Sequence, residues 1–80
     1  MKSGPIRAVV QNIVTSGRHG PYAVTRTERN DRFVTFALKK PVWDEEHFPE
    51  PGTVVLLEGV YERRLGFRAQ RATLSRLPEE

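Results

Sequence analysis

Arg32-Phe33-Val34-Thr35-Phe36-Ala37-Leu38 is the stretch on which the fold turns. Its period-two alternation marks a strand, with Val34, Phe36 and Leu38 supplying the apolar face that a core requires. The opposite face carries Phe33, Thr35, Ala37 and Lys39. A large aromatic on the side nominally left to water, flanked by cations, is what a base-stacking surface needs. The competing reading packs Phe33 under the loop after Gly17 or beneath an arginine stem.

Working outward, Tyr22 to Thr27 reads as the preceding strand. Glu28-Arg29-Asn30-Asp31 joins the two tightly, and Asn30-Asp31 tolerates the positive φ of a hairpin turn. A turn centred on Asn30-Asp31 sets Thr27 against Val34, Thr25 against Phe36 and Ala23 against Leu38 on the inner face. The outer face then pairs Glu28 with Phe33, Arg26 with Thr35, Val24 with Ala37 and Tyr22 with Lys39. Tyr22, Arg26, Phe33 and Lys39 fall on one exposed surface. A loop of odd length would instead swing Tyr22 and Arg26 inward.

The rest of the chain follows the same β rhythm. Prolines and glycines divide it into short extended pieces. Ile6 to Thr15 is a first strand, Thr53 to Tyr61 a fourth, and Phe67 onward a fifth, joined through Arg63-Arg64-Leu65-Gly66. Segment 67–77 also fits one helix face through Phe67, Gln70, Leu74 and Leu77; the Gly66 turn after a β segment favours strand. Pro41 to Pro51 interrupts the pattern and leaves room for about one helical turn at Trp43–Phe48. Trp43 is expected to plug the barrel bottom. The expectation is therefore all-β: a small five-stranded OB-fold barrel with one short helical turn between strands 3 and 4. An SH3- or Sm-like barrel is its nearest competitor.

The 80 residues make a single domain, 1–80, with an ordered core of about 5–77. With no cysteine, disulfides, thiolate zinc sites and cysteine nucleophiles are excluded. No apolar run has the length of a membrane span or signal-peptide core, and the expected setting is cytoplasmic. No Walker-type phosphate loop or G-x-S-x-G elbow is present. Asp44, Glu45, Glu46 and His47 offer at most two groups on one face of a turn, too few for zinc. With no paired acid and base, the expectation is a non-enzyme without metal or cofactor.

Charge is segregated. Residues 1–40 hold eight Lys/Arg against two acids, 41–50 hold four acids and no Lys/Arg, and 51–77 hold five Arg against two Glu. Ten of the thirteen cations are arginine, which suits forked phosphate contacts and stacking. Clustered cations attract polyanions, although they also keep strand edges soluble. Arg63, Arg64, Phe67 and Arg68 form a second basic–aromatic group at the last hairpin. His19, beside Arg18 in the first loop, is within chemical reason a phosphate contact, but a lone loop histidine is usually only solvated.

Phe33-Val34-Thr35-Phe36 resembles the F-V-H-F strand of cold-shock domains, OB barrels that bind single-stranded RNA and DNA. Pro51-Gly52-Thr53-Val54-Val55-Leu56-Leu57-Glu58 is similar to their G-x-x-V-x-F-E stretch. Leu65-Gly66-Phe67-Arg68-Ala69 with Ala72-Thr73-Leu74 resembles their G-x-x-A-x-x-V ending. Gly52-Thr53-Val54-Val55-Leu56-Leu57-Glu58-Gly59 also resembles the G-x-x-V-x-V-E-G strand of bacterial single-stranded DNA-binding proteins. The departures are that Arg18-His19-Gly20-Pro21-Tyr22-Ala23-Val24 stands where K-G-F-G-F-I would, and that Thr35 replaces the motif histidine. The resemblance implies stacking at Phe33 and at Phe36; the alternation keeps Phe33 outside and buries Phe36.

Taken together, these features predict a binder of single-stranded DNA or RNA with low sequence specificity, acting alone, as a homodimer or in a larger nucleoprotein complex. Its expected contact residues are Tyr22, Arg26, Phe33, Thr35, Lys39, Arg63, Arg64, Phe67 and Arg68. The alternative is an OB- or Sm-like adaptor that uses the same aromatics to bind protein in a replication, transcription or translation complex.

Overall fold

The structure, a computed structural model, describes residues 5–64 and 66–75. It is all-β: β1 (Ile6–Val14), β2 (Tyr22–Thr27), β3 (Phe33–Ala37), β4 (Val54–Glu58), β5 (Tyr61–Arg63), β6 (Gly66–Arg68) and β7 (Arg71–Leu74). The strands form one mixed sheet in the order β5-β6-β3-β2-β1-β4-β7, open in that order, with β5 and β7 at its edges. Every pairing is antiparallel except β3 with β6. Among the described residues there is no helix.

Seven strands stand where five were expected because two strands break, and the breaks touch. The expected strand 53–61 ends at Glu58, where Gly59 takes φ +66° and turns the chain out into β5. The expected fifth strand is interrupted at Ala69-Gln70, between β6 and β7. The Gln70 amide donates to the carbonyls of Glu58 and Gly59, at 3.0 and 3.3 Å. A Cβ at Gly59 would lie 2.7 Å from Gln70 Oε1 and 3.0 Å from its Cβ, and with φ in the left-handed region the crossing favours glycine. Arg76 and Leu77, part of the expected fifth strand, lie outside the described residues, as does Leu65.

The segment after β3 is also not helical. The Trp43 amide bonds to the Lys39 carbonyl at 2.9 Å, while its backbone forms a parallel bridge with Ala72. The indole Nε1 donates to the His47 carbonyl at 3.0 Å. The bond from Trp43 to Lys39 closes one turn, but the Val42 carbonyl accepts from the Ala72 amide at 2.9 Å and the His47 carbonyl from the indole, so neither continues a helical ladder. Trp43 is buried and stacks on Phe36, with centroids 5.6 Å apart.

The core is the inner face of the sheet: Ala8, Val10, Ala23, Val34, Phe36, Val55 and Leu57 are buried from β1 to β4. Thr25 is buried among them and donates its hydroxyl to the Val34 carbonyl at 2.8 Å, so its polar group is satisfied. Gln11 is a bulge: Val10 faces Thr25 and Asn12 already faces Val24. The extra residue sets Ile13 opposite Ala23, on the core side.

Candidate nucleic-acid interface

The hairpin of β2 and β3 fixes the geometry of the outer face. The Thr27 amide donates to the Arg32 carbonyl at 2.8 Å, and the Arg32 amide to Thr27 Oγ1 at 3.0 Å. Glu28, Arg29, Asn30 and Asp31 are therefore the loop, and Asp31 takes the positive φ (58°) that closes it. The expected turn centre was one residue too late, and every cross-strand pair shifts by two. Arg26 faces Phe33, Val24 faces Thr35 and Tyr22 faces Ala37. Because the shift is even, each residue keeps its face.

Phe33 is 56 % exposed and Phe36 is fully buried, the division that the alternation predicts. The Arg26 guanidinium lies over Phe33, with Cζ 5.7 Å from the ring centroid. Asp31 grips that guanidinium with both oxygens, Nε–Oδ1 at 2.6 Å and Nη2–Oδ2 at 2.9 Å. Arg26 is thus a shelf beside the aromatic, already partnered by a carboxylate, instead of the free phosphate contact expected of it. Lys39 lies beyond the end of β3, exposed but not opposite Tyr22.

Beyond β3 the face continues onto β6 and β5. Thr35 pairs with Arg68, which pairs with Tyr61. Arg68 Nη1 donates to Thr35 Oγ1 at 3.3 Å, so Thr35 is half-buried and holds an arginine in place. Tyr61 is 41 % exposed. It escapes the sequence reading, which takes it as the end of the fourth strand; Gly59 inside that strand is the signal that a break delivers it elsewhere. Phe67 pairs with Val34, is half-buried, and has the Arg32 guanidinium 4.3 Å from its centroid. It lies on the core side of the sheet and packs against the buried cluster, so it is not an open stacking platform. Arg63 and Arg64 are exposed at the hairpin.

Tyr22 is half-buried at the foot of a cavity of about 430 Å³. The loop Gly17-Arg18-His19-Gly20-Pro21 forms one wall, and Arg63 and Arg68 form the other. A Cβ at Gly17 would stand 3.5 Å from Tyr22 Cε1, so the loop lies close against the ring. The acidic segment belongs to another place: Glu45, Glu46, His47, Phe48 and Glu50 line a separate cavity of about 350 Å³ with Trp43. The two cavities share no lining residue. Phe48 is 49 % exposed there.

Compared with known protein families, curated proteins and solved structures, the chain matches none of them.

Proposed function

We propose that this protein binds single-stranded nucleic acid with little sequence preference across the outer face of β2, β3, β6 and β5. The observation that carries this reading is the exposed Phe33 ring, with the Arg26 shelf beside it and Tyr22, Tyr61 and Arg68 on the same face. Phe33 stacks a base, Tyr61 and the open part of Tyr22 offer further π surface, and Arg63, Arg64, Arg68 and Lys39 contact phosphates. Stacking on one exposed aromatic contributes on the order of 1–3 kcal/mol whatever the base.

An OB-like reading of the fold supports this function. The run from β6 into β7 leans on β3 at its start, where the Ala69 amide reaches the Thr35 carbonyl at 2.9 Å, and on β4 at its end. On our reading, β4–β5 and β6–β7 each count as one bent strand, which reduces the seven strands of the open sheet to the five of an OB-like arrangement. Within that fold, this face is where single strands would lie.

An adaptor that binds protein is the second reading. It is favoured by Val9, Val54 and Leu56, half-buried apolar side chains on the β1–β4 side of the same outer face. Titration of labelled oligo-dT and oligo-U at two salt concentrations separates the two. Binding that weakens with salt and falls in Phe33→Ala supports the nucleic-acid reading. No binding at low salt, or binding indifferent to Phe33→Ala, overturns it.

A further inference from the structure

We infer that the cavity over Tyr22 is an end-binding pocket that takes the terminal phosphomonoester of a strand lying on the outer face; this rests on the nucleic-acid reading above. Three separate elements bring guanidinium-bearing residues to one space: Arg18 from the β1–β2 loop, Arg63 from β5 and Arg68 from β6, with His19 beside them. None of the described residues lining it carries a carboxylate. Among the described residues, none of these three arginines forms a salt bridge, in contrast to Arg26 and Arg7. Like charges converging without a counter-charge repel one another, and a bound anion relieves that repulsion.

The shape selects the kind of anion. Around Phe33 the face is open, but at Tyr22 it runs between the loop wall containing Gly17 and the β5–β6 hairpin. Tyr22 and Arg26 lie four residues apart on one face of β2, about 13 Å along the strand, so a short oligonucleotide reaches both. A volume of about 430 Å³ falls in the range of roughly 300–1,000 Å³ common for small-ligand sites, enough for one nucleotide. A terminal phosphomonoester carries about 1.5–2 negative charges at pH 7 and three acceptor oxygens, against the single charge of an internal diester. Forked guanidinium donors match that oxygen set, and the bond from Arg68 to Thr35 fixes one donor before binding.

The test compares internally labelled oligo-dT in three forms: unphosphorylated, 5′-phosphorylated and 3′-phosphorylated, at low salt. The expected result is that phosphate at one end tightens binding roughly tenfold, and that Arg18→Ala brings the ratio of phosphorylated to unphosphorylated affinity close to one. A gain below about twofold from either end, an equal gain from both ends, or a ratio unmoved by Arg18→Ala overturns the assignment. If unphosphorylated oligo-dT still binds in a Phe33-dependent manner, only the end pocket falls. If no form binds, the nucleic-acid reading falls with it.

Discussion

Arg26 stands directly opposite Phe33 across β2 and β3, and the aspartate that closes their loop holds its guanidinium in place. One positive-φ residue, Asp31, thus does two things: it ends the turn and orients the cation beside the exposed ring. The aromatic is presented with one neighbour already ordered, which in the proposed binding mode lowers the entropy that stacking a base would cost. The same carboxylate also places a negative charge where a phosphate backbone would pass.

Asp31→Asn separates these effects. Asparagine tolerates the left-handed backbone, so the loop persists, and losing an exposed ion pair costs only about 0–1 kcal/mol of stability. With its carboxylate partner gone, Arg26 becomes available to phosphate. Oligonucleotide affinity at low salt should rise severalfold, and the slope of log K against log salt should steepen by about 0.7 for one added contact. A fall in affinity would mean that the anchored Arg26 geometry matters more than its free charge.

Phe33 and Phe36 should part company in stability as sharply as they do in exposure. Phe36 is fully buried against Trp43. Phe36→Ala should cost about 3–5 kcal/mol, a large share of the roughly 5–15 kcal/mol that holds small domains folded. Phe33→Ala gives up an exposed cation–π contact of about 0.5–1 kcal/mol. Urea denaturation of the two variants checks this: a midpoint shift for Phe33→Ala rivalling that of Phe36→Ala would place Phe33 in the core.

What the sequence made legible depended on the range of the interactions involved. The split between Phe33 and Phe36 could be read because strand alternation is local, and a register error of two leaves faces unchanged. The breaks were harder to read: Gly59 signals the first, but its pairing with the one at Ala69-Gln70 rests on a contact eleven positions away in sequence. A helical turn at Trp43–Phe48 was reasonable from spacing alone. It loses to the bridge between Trp43 and Ala72, which only the folded chain supplies. Of the expected contact residues, Phe33 is exposed on the outer face as read, Thr35 positions Arg68, and Phe67 sits beneath Arg32.

Gly59→Ala tests whether that crossing is rigid. The substitution forces a Cβ into the left-handed region, which costs roughly 1–2 kcal/mol for an L-residue. It also drives that Cβ against Gln70, whose backbone is pinned by its bonds to Glu58 and Gly59. The expected loss is about 2 kcal/mol or more, measured as a lowered thermal midpoint. The double variant Gly59→Ala/Gln70→Ala should recover little, since the Gln70 Cβ is itself 3.0 Å away and the backbone strain persists. Full recovery would show that only the far end of the glutamine side chain opposes alanine.

Tyr61 offers the cleanest measure of how far the interface extends. It lies on β5, every residue of which is exposed, and pairs with Arg68, so it lies beyond Thr35 on the same row as the proposed strand path. Tyr61→Ala should leave stability almost unchanged and weaken oligonucleotide binding by about 1 kcal/mol, the lower end for one stacked base, or roughly fivefold. Tyr61→Phe keeps the ring and should bind as the parent does, because stacking does not require the hydroxyl. A Tyr61→Ala variant that binds normally would end the interface at β6 and leave Phe33 and Tyr22 as its aromatics. A Tyr61→Phe variant as weak as Tyr61→Ala would move the role from the ring to the hydroxyl, and with it from stacking to hydrogen bonding.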